Sequence, residues 1–179
     1  MQQMYDDQVA QKEKDRIEKS ASKAKAEENE KHAAFAFDFE QVIFLPLTKR
    51  SEIFYKRRLS NYNFTLYNLN SKDSWAFVWH ECMAGRGANE VVSCVYQYLM
   101  QLDSQKVETV DMFCNDCTGQ NKNSIILAMM LNVVENSTYI KRIRLVVMVP
   151  YHGQNENDTI HSCVERALKR CSYHHSWSL

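Results

Sequence analysis

The stretch from Val110 to Asn123, V-D-M-F-C-N-D-C-T-G-Q-N-K-N, decides how the chain reads: a β-branched and aromatic run ends in an acid, crosses Gly119 and opens into an apolar helix from Ser124. Strand, polar tip, glycine turn and helix form the repeating unit of α/β sheets, whose ligand sites lie beyond the carboxyl ends of the strands. Asp116, at that tip, is therefore a candidate functional acid. Upstream, Asp38 lies inside the aromatic run A-F-A-F-D-F-E-Q-V-I-F, and downstream Asp158 heads the last helix in E-N-D-T-I-H-S-C-V-E-R. An ionised carboxylate among phenylalanines costs free energy unless it is paired or binds a cation. Acids on three such elements point to a carboxylate site for a divalent metal.

The remaining elements follow from periodicity and punctuation. Residues 1–32 hold fifteen charged side chains, seven basic and eight acidic, with no Pro or Gly and a thin apolar stripe at Met4, Val9 and Ile17. They read as an exposed, charged linker helix. One domain is expected over 33–172, with a tail at 173–179. Its first strand runs from Ala33 to Pro46; Ile53–Leu69 and Ser74–Trp79 supply two more, and the short links favour an antiparallel trio. Positions 91, 92, 95 and 99 repeat at helical spacing, with Asn89 as the expected N-cap. Val107–Cys114 is the fourth strand, Ser124–Val134 a helix apolar on most sides and so expected to be buried, and Ile140–Val149 the fifth strand. In the last helix, Asn157–Arg170, an apolar stripe of Ile160, Val164, Leu168 and Cys171 is expected to dock, holding Asp158, His161 and Glu165 at the edge of the sheet. The fold class is thus α/β, and the order β-β-β-α-β-α-β-α is the one the ribonuclease H-like fold uses, with a mixed five-stranded sheet.

Lys plus Arg and Asp plus Glu are both 22, so no net field draws a polyanion and any nucleic-acid surface must be local. Lys49, Arg50, Lys56, Arg57 and Arg58 beside Phe54, Tyr55 and Tyr62 could hold phosphates and stack bases, and a solvated hairpin face explains them equally well. Six cysteines lie in or beside apolar runs and no signal peptide is visible, which favours free thiols in the nucleus or cytoplasm over secretion. The apolar run Ile125–Val134 is short of the roughly 20 residues a membrane span needs. Cys114-x₂-Cys117 has zinc-ligand spacing, but His152 and His161 are distant partners without tight His spacing, which argues against zinc.

The segments F-D-F-E-Q-V-I-F-L-P-L, F-Y-K-R-R-L-S-N-Y-N-F, W-H-E-C-M-A-G-R-G-A-N-E-V-V-S-C, C-N-D-C-T-G-Q-N-K-N and Y-H-G-Q-N-E-N-D-T-I-H-S-C-V-E-R occur in order across residues 33–170. Together they resemble a transposon-like family, multi-copy in insects and other invertebrates, which the element order relates to DDE transposases and the ribonuclease H-like fold. The resemblance implies phosphodiester hydrolysis or strand transfer with Mg²⁺ or Mn²⁺. Asp38, Asp116 and Asp158 would bind metal, Glu90 or Glu165 would complete the site, and Lys56, Arg57, Arg58, Arg86, Gln120, Asn121 and Lys122 would contact nucleic acid, DNA foremost. Two departures stand out. The family carries an acid and then Asn or a small residue before the Cys, where this chain has Asn115 and then Asp116, and Tyr151-His152-Gly153 replaces a Gly-before-His pattern. Strand side chains alternate faces, so a shift of one residue turns the carboxylate away unless the strand has ended or bulged. The alternative function is accordingly an inactive, domesticated or decayed copy acting as a nucleic-acid or protein interaction module.

Overall fold

The computed structural model describes residues 2–45, 57–117, 119–148 and 156–171. Pro46, Lys49, Arg50, Ile53, Lys56, Pro150, His152, Gly153 and the tail at 173–179 lie outside the described residues. In chain order the elements are α1 (Gln2–Glu28), β1 (His32–Phe39), β2 (Ile43–Leu45), β3 (Leu59–Asn68), β4 (Ser74–His80), α2 (Ala88–Ser104), β5 (Thr109–Asn115), α3 (Ser124–Asn136), β6 (Arg142–Met148) and α4 (Glu156–Cys171). Among the described residues they form an α/β structure, one mixed, open, six-stranded sheet with four helices.

Alternation along β1 sets the two faces of that sheet. Phe35, Phe37 and Phe39 enter the main core with Phe64 and Leu66 of β3, Val91, Val95 and Leu99 of α2, Met112 of β5, and Ile126, Met129 and Val133 of α3. Phe39 meets Phe64 edge to face at 5.0 Å. Each fully buried Phe contributes roughly 1.5–3 kcal/mol, so this aromatic face carries most of the packing energy. Ala34 and Ala36 turn the other way, into a smaller cluster with Ala26 of α1, Phe113 and Met148. Short side chains let helices approach that second face closely, and Asp38 belongs to it.

Strand β1 pairs antiparallel with β3 and parallel with β5, β5 pairs parallel with β6, and β4 lies antiparallel on the far edge of β3. The first strand, expected to run unbroken to Pro46, is interrupted after Phe39. Phe39 lies opposite Phe64, and continuing that register would set Val42 opposite Asn61; Ile43 holds that place instead. One extra residue in a strand that keeps its partner is a β-bulge. Asn61 also pairs with His80 of β4, so β2 lies along the same edge of β3 as β1. The expected five strands thus become six because β2 continues β1 past a bulge.

Three further expectations are corrected by packing. Helix α2 starts at an N-cap on Gly87, not Asn89, because Glu90 reaches back to the Gly87 N–H at 2.9 Å and closes the turn from that side. Helix α3 buries Ile126, Met129 and Val133 but exposes Ile125, Leu127 and Leu131, since α2 and β6 meet it on one side. Helix α4 docks through Asn157 and His161, which are buried, with Ile160, Val164 and Leu168 only half-buried beside them and Asp158 and Glu165 exposed. It lies against β1 and β3, and His161 Nε2 stands 3.1 Å from Thr65 Oγ1. The outer face of α1 is exposed as expected, but Ser22 and Ala26 are buried against the alanine face of the sheet.

A polar network fixes α1 there. Ser22 donates to Asp111 Oδ2 at 2.8 Å; Arg144 of β6 grips Asp111 with two hydrogen bonds of 2.9 and 2.7 Å, donates to Ser22 Oγ at 2.8 Å and pairs with Glu18. Lys19 pairs with Glu156 and so links α1 to the first turn of α4.

Candidate functional site

Asp38 sits on the alanine face near the end of β1, at the edge where the parallel strands β1, β5 and β6 all finish. Its half-buried carboxylate accepts the Phe39 N–H on Oδ1 and the Asn115 amide on Oδ2, both at 2.8 Å. Burial pushes this carboxyl up to about 6, with the charge of Asp158 adding to the effect, against those two hydrogen bonds and the charge of Arg86. Asp158 thus lies near enough for its charge to act on Asp38. Asp158 is exposed in the first turn of α4 and, with Glu165 two turns on, lines a shallow groove of about 300 Å³ together with Thr159, Ser162 and Arg166. Burial holds a different acid, Glu40, above its usual range against the Asn63 hydrogen bond, and the charge of Glu165 adds to the effect. Between them His161 is held below its usual pKa by burial, which outweighs both neighbouring acids.

The order Asn115-Asp116 has a direct structural consequence. Strand β5 ends at Asn115, whose side chain shares a face with Asp111 and Phe113 and so meets Asp38. Asp116 lies beyond the strand, exposed and 3.5 Å from Lys122. Cys114 points to the aromatic core, where burial pushes its thiol up to about 12. An amide thus occupies the place beside Asp38 where the sequence pattern suggests an acid.

The other candidate residues separate into groups. Glu90 binds the loop before α2, its two oxygens accepting the N–H groups of Gly85 and Gly87 at 3.1 and 2.9 Å. A Cβ on Gly87 would stand 3.2 Å from that carboxylate, which would have to give by a few tenths of an ångström. Helix α2 covers the aromatic face, away from Asp38, and Glu90 is not brought to the Asp38–Asp158 pair. Arg86 and Gln120 are nearer to it: the Arg86 guanidinium lies 4.8 Å over the Phe39 ring and donates to the Glu40 main-chain oxygen, and Gln120 donates to the Arg86 oxygen at 3.4 Å. Asn121 is buried and holds its own loop through a 3.0 Å bond to the Asn115 oxygen. Arg57 is exposed 3.6 Å from Glu81, and Arg58 lies over Phe44.

Two acids that the sequence did not single out are buried on the same face. Asp111 reads as an ordinary alternating residue in T-V-D-M-F, and its partners Ser22 and Arg144 lie on separate elements. Glu40 follows Asp38 by two residues, the strand spacing for a shared face, and that was the available signal.

The family model described as Domain of unknown function (DUF7869) matches residues 66–179, more than half of the chain. The chain belongs to the DUF7869 family. The DUF7869 match takes in Asn115, Asp116, Asp158, His161 and Glu165, while Asp38 and Glu40 precede it. No curated protein and no solved structure matches the chain.

Proposed function

We propose that this DUF7869 domain is a transposon-derived, ribonuclease H-like domain of DDE type that has kept a carboxylate pair and lost cleavage, and that it serves as a nucleic-acid-binding module, DNA foremost. Two features support the ancestry: the element order, β-β-β-α-β-α-β-α once β2 is counted with β1, and the gathering of Asp38, Asn115 and Asp158 at the carboxyl ends of the parallel strands. The observation that carries the loss of cleavage is the amide of Asn115 on Asp38, with Asp116 turned to Lys122.

The residues present fit one divalent cation, Mg²⁺ or Mn²⁺, held by Asp38 and Asp158, since a half-buried acid facing a second acid is relieved by a cation. They do not fit two ions sharing Asp38: Asn115 presents a donor to Asp38, and among the described residues no three His, Cys, Asp or Glu side chains converge. A bound cation would polarise a phosphodiester oxygen. Asn115 orients the Asp38 carboxylate, and Arg86 and Gln120 flank the pair with donors suited to a phosphate backbone.

The test is cleavage and binding of labelled single-stranded, duplex and hybrid nucleic acids with Mg²⁺ or Mn²⁺, by the natural chain, by Asp38→Asn and by the double variant Asn115→Asp/Asp116→Asn. Expected are binding without cleavage by the natural chain and cleavage gained by the double variant. Cleavage by the natural chain that Asp38→Asn abolishes would make the domain an active metal nuclease; failure to bind any of the probes would remove nucleic acid from the reading.

A further inference from the structure

We propose that Glu40, Asn63 and Glu165 form a second site, for a hard divalent cation, one strand step beyond Asp38. Glu40 sits at the bulge and is only 2% exposed; Asn63, opposite it on β3, is likewise 2% exposed. Two hydrogen bonds tie them, the Glu40 N–H donating to the Asn63 oxygen at 2.9 Å and the Asn63 amide donating to Glu40 Oε2 at 2.7 Å, and Arg86 donates to the Glu40 main-chain oxygen at 3.0 Å. Two side-chain oxygens are left over. Glu40 Oε1 and Asn63 Oδ1 are both buried and have no hydrogen-bond partner among the described residues. Buried acceptors on adjoining side chains require a donor or a cation, and Arg86 bonds the Glu40 main chain rather than its carboxylate.

Helix α4 supplies the third group. Asp158 and Glu165 lie two turns apart, about 10.5 Å along the helix, and Asp38 and Glu40 lie about 6.6 Å apart along the strand. Helix α4 packs on β1 and β3, and burial raises the pKa of both Asp38 and Glu40, with the charge of Asp158 adding to it at Asp38 and that of Glu165 at Glu40. The donor set at the second pair is all oxygen, two carboxylates and an amide carbonyl, which selects Mg²⁺, Ca²⁺ or Mn²⁺ over metals that favour nitrogen and sulfur. Glu165 is exposed, so water reaches that side and completes the coordination shell.

This site stands on its own geometry and does not require the nucleic-acid reading. The probe is Mn²⁺, with bound ions counted by electron paramagnetic resonance in the natural chain and in Glu40→Gln, Glu165→Gln, Asn63→Asp and Asp38→Asn. Expected are two ions in the natural chain, one of them weakened at least tenfold by Glu40→Gln and by Glu165→Gln, tightened by Asn63→Asp, and retained in Asp38→Asn. Glu165 is on the surface, so its variant keeps the test decisive where Glu40→Gln fails to fold. Unchanged Mn²⁺ binding in Glu165→Gln and Glu40→Gln, or an ion lost only in Asp38→Asn, would overturn the second site while leaving the Asp38–Asp158 pair standing. No Mn²⁺ bound by the natural chain would overturn both.

Discussion

Asp111 and Asp38 are the same residue type on the same face of one sheet, in neighbouring parallel strands, and their surroundings are opposite. Asp111 receives a two-pronged guanidinium from Arg144 and a hydroxyl from Ser22, with His32 Nε2 at 3.3 Å. Burial alone would raise its pKa, but those hydrogen bonds and the Arg144 charge hold the carboxyl below the usual range. Asp38 has a neutral amide as its side-chain partner and an acid facing it, and its carboxyl rises to about 6. A buried acid gripped by a guanidinium stays ionised and fastens structure, whereas one whose side-chain partner is a neutral amide is pushed toward its protonated form. Three experiments would break or sharpen that contrast.

The largest effect is expected from Arg144→Ala, which strands Asp111 with 8% of its side chain exposed and frees α1 from the sheet. Removing one partner of such a pair costs about 3 kcal/mol, read as a lower urea midpoint. A loss below about 0.5 kcal/mol would mean that the network does not hold α1.

Next in size is Asp38→Asn, whose effect depends on pH. Folded Asp38 holds its proton more tightly than the unfolded chain does, so its contribution is fully present below about 3.8 and is lost as pH rises through about 6. The substitution removes the charged form and should stabilise the protein at pH 7.5 by about 2 kcal/mol, with the gain vanishing near pH 4. Asp111 has the reverse sign: its contribution is present above the unfolded carboxylate pKa and disappears as pH falls through the lower folded value. Melting curves of both Asn variants from pH 3 to 8 would separate the two acids. A destabilised Asp38→Asn at pH 7.5 would show that Asp38 is compensated after all.

The smallest effect is expected from Lys122→Ala. The Lys122 and Asp116 side chains are 61% and 37% exposed, and pairs of that kind contribute under about 0.5 kcal/mol. A cost above 1 kcal/mol in thermal melts would give Asp116 a structural role that its position beyond β5 does not suggest.

How much of this was legible in the sequence follows from which interactions are local. The aromatic alternation of F-A-F-D-F marked β1 and exposed Asp38 as an anomaly, because both signals lie within one strand. The Asn115-Asp116 order was visible as well, but its consequence was not, because the strand expected to stop at Cys114 runs on to Asn115. Asp111 was not, because its partners Ser22 and Arg144 lie 89 and 33 residues away. The docking side of α4 was misjudged for a related reason. Periodicity reports the helix's own stripe, while the surface it meets is built by Thr65 and by the acids of β1. The helix at Ser124–Asn136 shows the same limit: its composition announces apolarity but not how many neighbours are present to cover it.

The one-residue slip between Phe39 and Ile43 acts as a phase shifter. Ahead of it, odd-numbered residues address the aromatic layer; behind it, Ile43 and Leu45 share a face with Asn61 and Leu59, so the parity is inverted. A single-codon deletion anywhere in 40–42 would remove the extra residue and let the strand run straight, with Ile43 still opposite Asn61 and Phe44 still opposite Ser60. At this point in the chain the sheet can lose one residue without changing which side chains address its two layers.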